Sequence, residues 1–222
     1  VTSHDAHPET RPDALPDPHP GALPRTETHD WAALVDRDHL ADVRARATEL
    51  GGVAHLLLEV LAYPAEEAAE NGGGSCTVTL HADGSVGVVD AGRGTAVFRD
   101  ADGRVLRKPV MATRDVRFFE ADDSPLLPDG RPRRGMSVVA ALSSRLEHTN
   151  RRAEGAWTQG YAHGVPVGEL DELPADGTTG TTVAYRVDPD LVPAEAVAPQ
   201  DVLRWASAWP ALAVRVVDAR DA

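Results

Sequence analysis

The stretch HLLLEVLAYPAEEAAENG, His55 to Gly72, sets a carboxylate where it could act on a bound molecule. Glu59 falls at helical spacing among Leu57, Leu58, Leu61 and Ala65, and a second acidic pair, Glu66 and Glu67, follows at once. A carboxylate between apolar neighbours is a candidate general base; a solvated helix position is the alternative. A further carboxylate, Asp90, closes VTLHADGSVGVVD and is followed by AGRG, with Gly92 and Gly94. Read alone, Asp90 is an acid at a hairpin end. A cationic cluster lies in GRPRRG, Gly130 to Gly135, where Arg131, Arg133 and Arg134 could attract an anion. An exposed loop is the other reading of that run, and of NRRAEG with Arg152.

Secondary-structure elements must hold these groups in place. HLADVRARATELGG reads as a short helix capped by Gly51 and Gly52. The Glu59 helix follows, with Pro64 inside it. Proline removes a backbone hydrogen bond, clashes with the preceding turn and costs about 3 kcal/mol in a helix interior. It also pushes Tyr63 away from helical angles, so a helix in two halves, bent at Pro64, is expected. GGGS, Gly72 to Ser75, reads as a flexible turn. Thr77, Thr79 and His81 alternate with Val78 and Leu80, and ADGS is a turn signal. Residues Cys76–Ala82 and Ser85–Asp90 are therefore expected as paired antiparallel strands. Residues 91–136 have few periodic signals and read as a long loop. GMSVVAALSSRLEH predicts an apolar helix, and GAWTQGYAHGVPVGEL and TGTTVAYRVDP predict strands. PQDVLRWASAWPALAVRVVDAR predicts a helix, a break at Pro210 and a last strand. That order implies an α+β fold, a two-layer sandwich with helices on one face of a mainly antiparallel sheet.

Of 222 residues, 42% are apolar, enough for a core across residues 31–222. Residues 1–30 are rich in Pro, Asp and His and read as a disordered tail, since they bury too little apolar surface to offset ordering entropy. The tail's His4, His7, His19 and His29 are irregularly spaced, and no metal site is assigned. The net charge of -13 argues against a surface that holds DNA or RNA directly. No span is apolar for long enough to cross a membrane. The single cysteine, Cys76, excludes an intrachain disulfide and fits a reducing compartment, so the expected location is the cytoplasm.

Taken in order, the segments resemble the ATP-binding domain of the DNA gyrase B subunit, of the GHKL (Bergerat-fold) superfamily. LADVRARA resembles its opening helix and HLLLEVLAYPAEEA the helix of the catalytic glutamate. VTLHADGSVGVVDAGRG resembles its hairpin and Asp-x-Gly-x-Gly motif, and GMSVVAALSSRLE the helix after the phosphate loop. YAHGVPVGEL, DGTTGTTVAYRVDPDLV and LRWASAWPALAVRVVDARDA resemble the strands and last helix that follow. The match runs over roughly residues 38–221. The resemblance implies ATP or ADP as ligand. Asp90 would bind the adenine amino group, and Gly92 and Gly94 would let the backbone approach base and ribose. Thr179 would support the carboxylate and its water, Val110 and Met111 would pack under the pocket, and Glu59 would activate water. Arg133, Arg134 and Gly135 stand at the phosphate loop. Arg152 matches an arginine contacted by gyrase-targeting aminocoumarins.

Several positions depart from the family pattern. The family's Mg²⁺-binding asparagine, four residues after the glutamate, is Tyr63 here, and Ala91 replaces the asparagine of its Asp-Asn-Gly variant. The loop Gly-Leu-His-Gly-Val-Gly reads GRPRRG, with Arg133 at the middle glycine and Pro132 lacking an N–H. Mg²⁺ binding is therefore doubtful. The chain ends at Ala222, where the transducer domain with its phosphate-binding lysine would begin. The expected function is a degenerate, non-hydrolysing ATP-binding domain with a regulatory or scaffolding role toward an unknown protein partner. Two alternatives stand beside it: a weak ATPase completed by a partner, and a protein that sequesters aminocoumarin-type ligands.

Overall fold

The computed structural model describes residues 35–95, 99, 101–103, 109–119 and 124–221. The tail expected over residues 1–30, and part of the loop expected over residues 91–136, lie outside the described residues.

Helix α1 (Arg37–Ala45) is capped by the Asp36 carboxylate, which accepts from the His39 N–H at 2.9 Å. A short α2 (Ala47–Leu50) continues it to Gly51, so the first helix expected from sequence is two helices joined at Arg46. Helix α3 (Val53–Asn71) carries Glu59. Pro64 does not divide it. The helix runs unbroken through the proline to a left-handed C-cap at Gly72, correcting the expectation of two halves. Burial explains the tolerance. Leu56, Leu57, Leu58 and Leu61 are fully buried, a near-circular apolar surface of the kind a central helix presents. Packing of that order outweighs one lost N–H donor.

Strands β1 (Gly74–His81) and β2 (Val86–Asp90) form the expected hairpin, with Cys76 opposite Asp90. Its turn is closed by Asp83, which accepts from the Ser85 N–H and hydroxyl. The expected flexible turn at Gly72–Ser75 is shorter, because Gly74 and Ser75 already belong to β1. A 3-10 turn (Pro109–Met111), α4 (Val116–Phe119) and α5 (Met136–Ala141) follow. Strands β3 (Ser143–Arg152), β4 (Gly155–Ala162), β5 (Val165–Leu173) and β6 (Gly180–Val187), then α6 (Pro199–Ala206) and β7 (Leu212–Ala219), complete the order.

The helix expected over GMSVVAALSSRLEH is half right. It stops at Ala141, and the remainder is strand β3. The Ser143 hydroxyl donates to the Val139 carbonyl at 2.6 Å at the helix end. From there to His148 the burial period becomes two: Leu146 and His148 are buried, whereas Arg145 and Glu147 are not.

Among the described residues the seven strands form one sheet in the order β5-β4-β3-β6-β2-β1-β7. Every pairing is antiparallel except β1 with β7. Helices α3 and α5 pack on the face that carries Val78, Leu80, Val88, Leu146 and Val183, all buried. The other face carries half-buried Thr77 and Thr79 and exposed Val89. The fold is the α+β sandwich expected, consistent with the Bergerat architecture.

Candidate functional site

A cavity of about 140 Å³ opens between α3 and the sheet. Val60, Val88, Val110, Met111, Met136 and Val183 supply its apolar walls, and Asp90, Thr181, Thr95, Glu67 and His148 its polar groups. Asp90 reaches it because β2 ends there. Its carboxylate accepts from the Gly92 N–H at 2.8 Å and from the N–H and hydroxyl of Thr181. Burial pushes the Asp90 carboxyl up, and the nearby Glu67 charge adds to this; the Gly92 and Thr181 donors oppose it without cancelling it. Asp90 is thus a desolvated acceptor inside an apolar pocket.

The hydroxyl beside Asp90 is that of Thr181, not of Thr179. Strand β6 pairs Thr182 with Val89 of β2, which sets Thr181 level with Asp90. Thr179 precedes the strand and lines an adjoining cleft of about 270 Å³, together with Gly92. Gly180 between the two threonines has φ +123°, and a Cβ there would overlap the Asp90 carbonyl oxygen. Gly94 lines the cavity at φ +72°, pressed against the Arg151 carbonyl. Asn150, fully buried, clamps the next residue, accepting from the Thr95 N–H at 2.5 Å and donating to its carbonyl at 3.1 Å. Sequence reasoning misses Asn150, whose partner lies 55 residues away. Sequence marks Glu67 only as an acidic neighbour; in the structure it accepts from the N–H and Nε of Arg93, at 2.7 and 3.0 Å.

Glu59 does not line this cavity. Its side chain is fully buried and faces the loop before α5, so the solvated-helix alternative does not hold. One oxygen accepts from the Arg134 N–H at 2.5 Å, the other from the Gly135 N–H at 2.8 Å. His55, one turn earlier, places Nε2 at 3.3 Å from Glu59 and Nδ1 at 2.8 Å from Asp129. A ring with a carboxylate at each nitrogen donates from both, which is the imidazolium form. The i, i+4 spacing of His55 and Glu59 is the sequence signal for this pair; nothing local announces Asp129.

The expected phosphate-loop cations are occupied by the protein itself. The Arg133 guanidinium is buried, forms a bidentate pair with Glu66, and lies over the Tyr63 and Phe118 rings at 4.7 and 4.6 Å. The exposed-loop reading fails for that residue. Arg134 donates to the Phe118 carbonyl at 2.6 Å. Arg152 donates to the Gly94 carbonyl at 3.2 Å and to Glu154 at 2.7 Å. Tyr63 is in contact with the start of α5, its oxygen 3.4 Å from the Met136 N–H, and burial pushes its phenol up to about 12.

The histidine sets a pH dependence. Burial pulls the His55 imidazolium down, but the hydrogen bonds and charges of Glu59 and Asp129 outweigh burial and hold its pKa above the ordinary 6.5. A raised folded-state pKa gives stabilisation that is complete below the unfolded value and lost as pH rises through the folded one. The unfolding free energy of the parent, relative to His55→Gln, is expected to fall on going from about pH 6 to about pH 8. Denaturant melts at both pH values check this, and a constant difference would remove His55 from the network.

Among the described residues no group of three or more His, Cys, Asp or Glu is arranged to hold a metal ion, and no helix is long and apolar enough to cross a membrane. No family model matches the chain. The chain is similar to the DNA gyrase B subunit of Mycolicibacterium smegmatis, 36% identical over 140 residues, which is 63% of this chain and 21% of that protein. It is similar also to the novobiocin-sensitive DNA gyrase B subunit of Streptomyces niveus, 31% identical over 173 residues, covering 75% of this chain and 25% of that protein. With the DNA gyrase B subunit of Micrococcus luteus the identity is 31% over 195 residues, covering 83% and 27%. The chain spans about a fifth to a quarter of the length of these relatives.

Proposed function

We propose that this chain, a distant homologue of the amino-terminal ATPase part of the DNA gyrase B subunit, is an adenine-reading domain that does not turn over ATP and serves a regulatory or scaffolding role beside a protein partner. The observation that carries the reading is the Asp90 carboxylate, desolvated in a small apolar cavity with donors on its flanks and acceptor capacity toward the cavity. An amino group next to a ring acceptor, as in adenine, is complementary to that carboxylate and the adjacent Thr181 hydroxyl.

The hydrolytic half of the site supports the second part. Mg²⁺ takes several oxygen ligands and is held in phosphoryl transfer against the substrate phosphates. Tyr63 offers a neutral phenol already next to the Met136 N–H, and both Glu59 oxygens accept backbone donors. These residues do not fit a Mg²⁺ ion, and a general base must be within reach of its water. The second reading, a slow ATPase, has one observation in its favour: His55 and Asp129 back Glu59 as a polarised relay.

Calorimetric titration with ATP and ADP, each in Mg²⁺ and in EDTA, tests the proposal, with phosphate release followed in parallel. Equal affinity with and without Mg²⁺ and no release are expected. A large loss of affinity in EDTA, or turnover above the blank, would move the chain to the ATPase reading. An aminocoumarin in the same panel separates the sequestering reading, which the name of the Streptomyces niveus relative brings into view.

A further inference from the structure

We infer that the ligand of the Asp90 cavity carries no phosphate: the site takes a nucleoside, or a planar amino-heteroaromatic of that size, in preference to a nucleoside triphosphate. The inference rests on the adenine reading above and goes on to the class of ligand.

It follows from an account of the donors along the loop before α5. The Arg131 N–H donates to the Asp129 carboxylate at 3.1 Å. Pro132 has no N–H. The Arg133 N–H donates to the Pro125 carbonyl at 2.8 Å. The N–H groups of Arg134 and Gly135 donate to Glu59, and that of Met136 to the Tyr63 hydroxyl oxygen. Each backbone donor from 131 to 136 thus has an acceptor inside the protein. Glu59 does for the loop what a phosphate would do, as an anion on consecutive N–H groups. The guanidinium groups are engaged as well: Arg131 with the Glu49 carbonyl at 3.3 Å, Arg133 with Glu66, Arg134 with the Phe118 carbonyl. Arg133 Nε has no partner among the described residues, but it is buried with its guanidinium against the Tyr63 and Phe118 rings.

A phosphate could reach the consecutive N–H groups of Arg134 and Gly135 only by displacing Glu59, whose carboxylate is fully buried and pairs with His55. A buried charge stripped of its partners is strongly unfavourable. Among the described residues, the charged ones that line the cavity itself are two carboxylates, Asp90 and Glu67, of which Glu67 is paired with Arg93.

The test is a series of calorimetric titrations of the full chain in EDTA with adenosine, AMP, ADP and ATP. Affinity is expected to stay level or weaken as phosphates are added. A rise of about tenfold or more from adenosine to ATP, the scale of a single charge-assisted hydrogen bond, would overturn the inference and leave the adenine reading standing. Absence of heat with all four, together with no displacement of amide resonances around Asp90, would overturn both.

Discussion

Glu59→Ala is expected to destabilise the fold by about 3–5 kcal/mol, the range for breaking a buried charged pair by removing one partner, with no ligand present. Three donors lose their acceptor together: the N–H groups of Arg134 and Gly135, and Nε2 of His55. The two N–H groups lie at the entry to α5, beneath rings that leave little room for water; a Cβ on Gly135 would already touch Phe118 and Tyr63 at 3.3 Å. Glu59→Gln is nearly isosteric but must present an amide NH₂ to one of the same donors. Its loss is expected to be smaller, about 1–3 kcal/mol for one mismatched buried hydrogen bond. Urea unfolding of the three proteins, with the slopes compared as well as the midpoints, checks the order. A change within about 1 kcal/mol for Glu59→Ala, no more than an ordinary surface or single-bond effect, would mean that the loop finds other acceptors. The result also bears on chemistry. A carboxylate kept free to activate water is usually removed at little expense to stability, or with a gain.

Asp90→Asn is expected to weaken binding of adenosine by about 1.5–3 kcal/mol, the worth of a hydrogen bond to a charged group, or roughly 10- to 150-fold in affinity. The amide can keep an oxygen toward the Gly92 N–H and Thr181, which then directs its NH₂ at the amino group of the ligand. Stability should be unchanged or higher, because the substitution removes a charge that burial and Glu67 already disfavour. Calorimetry with adenosine and a denaturant melt separate the two effects. Parent-like affinity in Asp90→Asn would place the binding site elsewhere. The pair of substitutions tests the two carboxylates separately: removal of Glu59 is expected to act on folding, removal of Asp90 on binding.

The parts of this fold legible in the sequence are those encoded within a dozen residues. The β1–β2 hairpin follows from strict alternation and ADGS, and β7 from the break at Pro210. Asp90 read alone is an acid at a hairpin end, and its place in a cavity is an expectation that rests on the resemblance carried by the local motif around it. Where two physical signals compete, composition alone chooses wrongly. The run from Met136 to His148 is apolar enough for one helix, yet its second half alternates, and pairing with β4 and β6 makes it strand. Pro64 carries a strong local penalty that the burial of its helix overrides. Thr179 and Thr181 differ by two positions and are indistinguishable by type. Only the register of β6 against β2 decides which one meets Asp90. The contacts of the loop before α5 are out of reach for the same reason: Glu59 and Gly135 are 76 residues apart, and Arg133 and Glu66 are 67 apart.

The parallel pairing of β1 with β7 has a bearing on how the molecule is made. Gly74 lies beside Leu212 and His81 beside Ala219, so the contact spans most of the chain and sits at the slow end of the relation between contact order and folding rate. A ribosome delivers the α3–β1–β2 unit early, at roughly 5–20 residues per second. One edge of β1 then waits several seconds without its neighbour, displaying Cys76, Val78 and Leu80 in a strand of high β propensity. During that interval the strand edge and the Cys76 thiol, buried in the finished fold, lack their final cover. Late arrival of β7 therefore sets how long that edge stays open.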